Sequence, residues 1–398
     1  MANDPRGSGA SANYVTSGTL LATNWGSATA GTLFISVGNA FSNGGFSNTS
    51  AGTILIATNT TLTINRTENA WVNSGNSVAN FGTIALAGGT LNLAADGIVS
   101  NAASFINTGM ITGYGTIDSV VITTNGGKML AVATNLTSVG TLTARIASTT
   151  NNSSATLGTI GTNSVLNLIA PGGQNFLINF GTISVLGGTI NFNGSAATIT
   201  NFFVVAGVGN LSSFGIVNTG ALASVVAQGP VSGLSNLIAS VGVTNSALLG
   251  ANNLIGGAAT LTLGTTTGGG LVNNGILAIQ GGFITVTNAA GVDSGVTNNL
   301  GQIYGNGTQT FSVVNLAGGS IVASNGLLKL GLTGANAGTL GNFNSSSTII
   351  LTNTVLVNSG RIALNGGGLV MGGSTITNEG TITGPGDYSS GLYNDVNG

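Results

Sequence analysis

Eight carboxylates, Asp4, Glu68, Asp96, Asp118, Asp293, Glu379, Asp387 and Asp395, make up the acidic side chains of this chain. With no His and no Cys, the Ser-His-Asp and Cys-His nucleophile arrangements and the usual zinc sites are excluded. A glycosidase needs only two carboxyls held about 5 to 9.5 Å apart, but nothing in the spacing of these acids brings two of them together. No catalytic residue is assigned. "GYGTID", ending at Asp118, and "GPGDYSSG", containing Asp387, place acids beside glycines as calcium turns do, yet the repeated nonapeptide of a calcium-binding roll is missing. No metal site and no cofactor site is assigned.

The remaining candidates have structural readings. In "NRTEN", Arg66 and Glu68 share one face of a strand, which reads as a solvated ion pair worth at most about 1 kcal/mol, with a ligand contact as the alternative. Trp25, Trp71 and Tyr114 would stack on sugar rings if exposed, and are expected in a core or a cap. "GYG" and "GNG" lack the following helix of a dinucleotide fingerprint and read as corners. The Thr-rich stretches "TNTTLTIN" and "TLTLGTTT" recur too irregularly for the flat Thr ranks of an ice-binding surface. Sequons at Asn48, Asn59, Asn65 and Asn135 are what a chain so rich in Asn, Ser and Thr produces by composition.

The elements that hold these residues must be built almost without charge. Charged residues are 4% of 398, Gly supplies 68 positions, and mean hydropathy is +0.46. Disorder requires the opposite balance, so a folded chain is expected. Gly, Asn, Ser and Thr interrupt every apolar run before the roughly 18 residues that a spanning helix needs. Aromatics at 5% do not furnish the girdles of a transmembrane barrel. Six scattered Lys and Arg and a net charge of −2 give no basic patch, so nucleic acid is not expected as a partner. The absence of Cys fits either a reducing compartment or a thiol-free secreted protein, and no ordinary signal peptide is visible at the N-terminus.

Repetition carries the fold. "NFGTIALAGGTLNL" at Asn80 returns as "NFGTISVLGGTINF" at Asn179, and more weakly at Asn273 and Asn358, at intervals of 99, 94 and 85 residues. A second motif, N-x-G-x-I-x-G-x-G, follows as "NTGMITGYG" from Asn107, "NLGQIYGNG" from Asn299 and "NEGTITGPG" from Asn378. After the second copy only "NTGALAS" from Asn218 is found. Within a copy, Ile84 and Leu86 face one way and Thr83, Ala85 and Ala87 the other; after Gly88 and Gly89, alternation resumes with Leu91 and Leu93. Short strands rich in Ile, Val and Thr, separated by glycine corners, predict an all-β fold: a parallel β-helix, or β-solenoid, with irregular coil length.

Stacked coils account for the composition. At about 4.8 Å between coils, two like charges in register repel by roughly 0.9 kcal/mol even in water. An Asn in the same place donates to one neighbour and accepts from the other. Coils of about 20 to 25 residues would number about 16 to 20 and stack to roughly 80 to 95 Å. The chain reads as an N-terminal cap or assembly segment (1–30), a solenoid (31–384) and a C-terminal cap or assembly segment (385–398).

The stretch "NTGMITGYGTIDSVVITTNGGKMLAVATNLTSVGTLTA", with the copies at 80, 179, 273 and 358, resembles the repeats of bacterial autotransporter passengers and haemagglutinin-like surface proteins over most of residues 50 to 386. That resemblance implies a right-handed parallel β-helix at the cell surface or outside the cell, serving adhesion or surface architecture. No leader and no C-terminal outer-membrane barrel is recognisable in this sequence. The expected function is non-catalytic: a stiff rod that self-associates end to end into a fibre by strand pairing. The alternative is a capped monomeric rod that displays a binding surface for a glycan or another surface partner.

Overall fold

The computed structural model describes residues 14–23, 31–37, 46–66, 78–92, 103–133, 138–169, 176–193, 198–212, 215–228, 236–240, 243–252, 260–265, 270–288, 294–353 and 355–394. Among these the secondary structure is strand, turn and bend, with no helix. Two compact units divide the chain, Met1–Ile199 and Thr200–Gly398. Each is a parallel β-solenoid in which strands pair in register with those of the adjoining coils.

Three strands make a coil, as Phe46–Asn48, Thr53–Ala57 and Thr60–Arg66 do, and alternation within each strand sorts its residues. In Thr83–Asn92, Ile84, Leu86 and Leu91 are buried while Thr83, Ala85 and Ala87 are half-buried on the outside. The strand runs through the Gly88-Gly89 corner without a break, where the sequence suggested two strands; Gly88 takes φ 92° to turn it. Inward positions stack on inward positions. In the first unit Ile54, Ile84, Ile111, Met129, Leu157 and Ile183 form one such column, paired coil by coil and almost fully buried. Val225, Leu249, Leu277, Ile303, Ile321 and Leu340 form its equivalent in the second. Burying one such side chain contributes about 1.5 to 3 kcal/mol, and the column repeats the contribution at every coil.

The asparagines supply the second column. In the first unit Asn48, Asn80, Asn107, Asn125, Asn151 and Asn179 stack inside the solenoid, each Nδ2 donating to the Oδ1 of the next at 2.7 to 2.8 Å. In the second unit the ladder runs through Asn201, Asn218, Asn245, Asn273, Asn298, Asn315, Asn336, Asn358 and Asn378, at 2.7 to 3.0 Å. The other Nδ2 hydrogen reaches a backbone carbonyl, as from Asn80 to Met110 and from Asn107 to Lys128. These ladder bonds all point the same way along the chain, so the amide dipoles align and polarise one another. Because Asn48 is buried in this ladder, its sequon offers no accessible amide.

The rungs measure the coils. Steps between bonded asparagines range from 17 to 32 residues, wider than the 20 to 25 expected. Three rungs lie between Asn80 and Asn179, and three between Asn273 and Asn358, so the long repeat of the sequence is four coils. Its drift is the sum of unequal coils. The shortest steps, 18 residues from Asn107, 17 from Asn201 and 17 from Asn298, begin where the second motif stands.

That motif is a corner without inserted residues. Met110–Asn125 is a single strand that passes two corners, as is Gln302–Asn315. Gly113 and Gly115 (φ 104° and 142°) and Gly305 and Gly307 (φ 126° and 137°) make the bend. A Cβ on Gly113 would strike the Leu86 carbonyl oxygen and one on Gly305 the Ile279 carbonyl, so the position requires glycine on two counts. Two sequence assignments change. The rung is Asn298, with Asn299 one residue beyond it at the outer corner, and the missing copy of the motif is "NFFVVAGVG" from Asn201, whose Gly207 and Gly209 take φ 132° and 128°. Asn218 is the rung after it.

Within 385–398, read from the sequence as a cap or assembly segment, Asp387–Asn394 pairs in register with Gly368–Asn378 as a further coil. Trp25, Trp71, Glu68, Asp4, Asp96, Asp293, Asp395, Asn135, Leu93 and the side chains of Arg66 and Asn65 lie outside what is described.

One rung lacks its donor. Thr16 occupies the place opposite Asn48, and its hydroxyl turns to the Gly18 carbonyl, which leaves the buried Asn48 Oδ1 without a partner. Thr16→Asn should therefore lengthen the ladder and raise stability by about 1 kcal/mol in chemical denaturation. Asn107→Ala orphans the Asn80 amide and the Asn125 carbonyl together, and should cost about 2 to 5 kcal/mol. Asn107→Asp places a carboxylate in the buried column, and burial raises its pKa. The folded state then holds the proton more tightly than the unfolded one, so this variant should lose stability as pH rises above about 4, while the parent shows no such step.

Candidate functional site

The described charges are dispersed along the surface. Asp118 and Arg145 belong to neighbouring coils and lie next to the paired Ile117 and Ala144. Arg145 Nη2 meets Asp118 Oδ1 at 3.2 Å. Stacking thus places an opposite charge beside Asp118. Glu379 is exposed at the corner after Asn378, and Asp387 is exposed on the coil beyond it. Among the described residues no three acids gather as a metal-holding group, and no helix is long and apolar enough to cross a membrane. Tyr114 is half-buried, its ring set against the corner at Gly88.

Two features stand apart from this background. The first is the coil of Thr381–Thr383 and Asp387–Asn394. Leu392 sits in the inward column opposite Ile376, yet it is 50% exposed where Ile376 is 0%. Tyr388 pairs with Leu369 in another inward column; its hydroxyl is buried without a hydrogen-bond partner, and burial pushes the phenol pKa up. Core positions of this coil therefore face solvent on one side.

The second is a cleft of about 390 Å³ at the corner of three successive coils in the second unit. Its middle is the tight turn Gly305-Asn306-Gly307, where one residue separates two inward positions. The next coil needs four residues, Ser324 to Leu327, to span the same corner between Ala323 and Leu328. The short coil recedes between longer neighbours, and the recess is the cleft. Ile279 forms part of its floor; Tyr304, Asn306, Ser324, Asn325 and Gln280 provide hydroxyl and amide groups. Tyr304 Oη and Ser324 Oγ are 2.7 Å apart, and Phe343, 62% exposed, meets the Tyr304 ring edge-on at 6.5 Å between centroids. Asn306 accepts from Gly281 N at 2.7 Å and donates to Asn325 O at 2.8 Å.

The sequence marks "GNG" (Gly305–Gly307) as a corner and assigns none of these residues to a site. The available signal was the departure of "IYGNG" from its sister copies, which place Thr112, Ala206 and Thr383 where Tyr304 stands, and Tyr114, Val208 and Pro385 where Asn306 stands.

The architecture defines a β-solenoid repeat protein, built on aliphatic and asparagine columns. No protein family, no curated protein and no solved structure matches the chain.

The Arg145–Asp118 pair, with side chains 34% and 42% exposed, lies in the range where surface pairs contribute little. Arg145→Ala should change stability by no more than about 1 kcal/mol. Arg145→Asp, which sets two carboxylates in neighbouring coils, should destabilise more than the alanine variant, and added salt should narrow the difference between the two in thermal melts.

Proposed function

We propose that the chain is a non-catalytic structural rod, located at the cell surface or outside the cell, that self-associates end to end into a fibre. The observation that carries this reading is the coil of Thr381–Asn394, with Leu392 and Tyr388 in inward columns and only partly covered. A coil stacked on it would bury Leu392, add strand hydrogen bonds and give the Tyr388 hydroxyl a neighbour. In a second copy the coil of Tyr14–Thr16 and Thr19–Ala22 offers such strands, because they already pair in parallel with the coil that follows them. Stacking of this kind continues the bonding used inside each unit, and strand addition of one chain to another is an established mode of association. The surface location rests on the resemblance of the repeats to autotransporter passengers and haemagglutinin-like proteins.

Negative-stain electron microscopy and sedimentation velocity across a concentration series test the joint. Filaments of uniform width that lengthen with concentration are expected. Leu392→Lys, which sets a charge in the column of the joint, should leave single rods while the melting temperature of the solenoid stays near that of the parent. A strictly monodisperse monomer at all concentrations, in the parent chain, would overturn the proposal.

A further inference from the structure

The internal repeats provide their own comparison for the cleft at Asn306. Among the described residues the motif's G-x-G corner recurs four times, centred on Tyr114, Val208, Asn306 and Pro385. Three carry side chains without an amide, and at the first of them Tyr114 packs against the neighbouring corner at Gly88. Only the third copy places an amide at the centre, and only it places an aromatic two residues earlier, at Tyr304. Both exchanges occur at the same corner, and together they line the cleft.

The chemistry of the lining is narrow. Asn306 uses one lone pair of Oδ1 and one hydrogen of Nδ2 on Gly281 and Asn325, which leaves one acceptor site and one donor to a ligand. Gln280 and Asn325 are exposed beside it. Tyr304 is held at its hydroxyl by Ser324 and at its ring by Phe343, with the small Ala278 and Val322 as register neighbours on the outer face. An aromatic face is electron-rich and attracts the weakly positive C–H edges of a sugar ring, while amides bond its hydroxyls in both senses. No carboxylate, lysine or arginine lines the cleft, so a phosphate or a carboxylated ligand would find no opposite charge there.

We infer that this cleft is a binding site for a neutral carbohydrate, with Tyr304 as the stacking platform and Asn306 as the orienting amide. The site lies on the flank of the second unit and does not rest on end-to-end assembly. It gives a rod of the proposed kind a means of holding uncharged polysaccharide along its side.

Saturation-transfer NMR on the full chain, with cellohexaose, maltohexaose and mannohexaose as neutral probes and hexagalacturonate as the acidic one, tests the inference. Transfer to at least one neutral hexasaccharide and none to the acidic one is expected. Asn306→Tyr recreates the corner seen at Tyr114, and Tyr304→Thr recreates the residue at 112 and 383, so each variant has a precedent in this chain. Each should reduce affinity, read by titration calorimetry with the bound sugar, at least tenfold without changing the circular dichroism of the fold. The inference is overturned by no transfer to any neutral probe, by preferential transfer to hexagalacturonate, or by affinity that both variants leave intact. Filament formation is read separately by sedimentation, so failure of either proposal is distinguishable from failure of the other.

Discussion

Each position in the solenoid meets the corresponding position of the next coil at about 4.8 Å, and that distance governs the rest of the chain. An aliphatic residue gains from such a neighbour, so Ile84 lies between Ile54 and Ile111. Asparagine gains twice, because it can donate upward and accept downward within one column. A charge gains only if its neighbour is opposite, which is the case for Asp118 and Arg145. A composition with 4% charged residues follows from this single spacing.

The asparagine ladder also has a direction. Since each Nδ2 donates to the later rung, the earliest rung needs a donor from before it, and Thr16 does not supply one. The orphaned Asn48 Oδ1 is thus a consequence of ladder polarity and not a local packing fault. Glycine obeys the same geometry from the other side. At Gly113 and Gly305 the backbone of one coil crosses so close to a carbonyl of the coil before it that no side chain fits.

How much of this the sequence discloses depends on whether a feature is periodic along the chain or created by stacking. The in-and-out alternation of Ile84, Leu86 and Leu91 was readable because it is local. The role of Asn80, Asn179, Asn273 and Asn358 was readable because the motif begins with them. Asn201 was hidden, since "NFFVVAGVG" lacks the glycine two residues after Asn that the other copies carry. The shift from Asn299 to Asn298 was hidden too, because two asparagines stand together and only the column decides which one turns inward. The Asp118–Arg145 pair joins residues 27 apart through a coil whose length no local pattern states. The cleft was beyond reach for the same reason: it is a difference between the lengths of adjacent corners.

That difference is where a solenoid of this kind can acquire chemistry. A perfectly regular stack presents ranks of repeated outward side chains and has no concave surface, so a binding site requires one coil to recede. At Gly305–Gly307 the G-x-G corner produces that recession, and its central residue then determines whether the space is filled. Tyr114 occupies it in the first unit; Asn306 leaves it open in the second and brings an amide to its wall. Scaffold and site thus use the same glycines. The pair that lets the strand pass the corner without an inserted residue also sets the depth of the recess, so a new binding surface needs only exchanges such as Tyr304 and Asn306, outside the inward columns on which the fold depends.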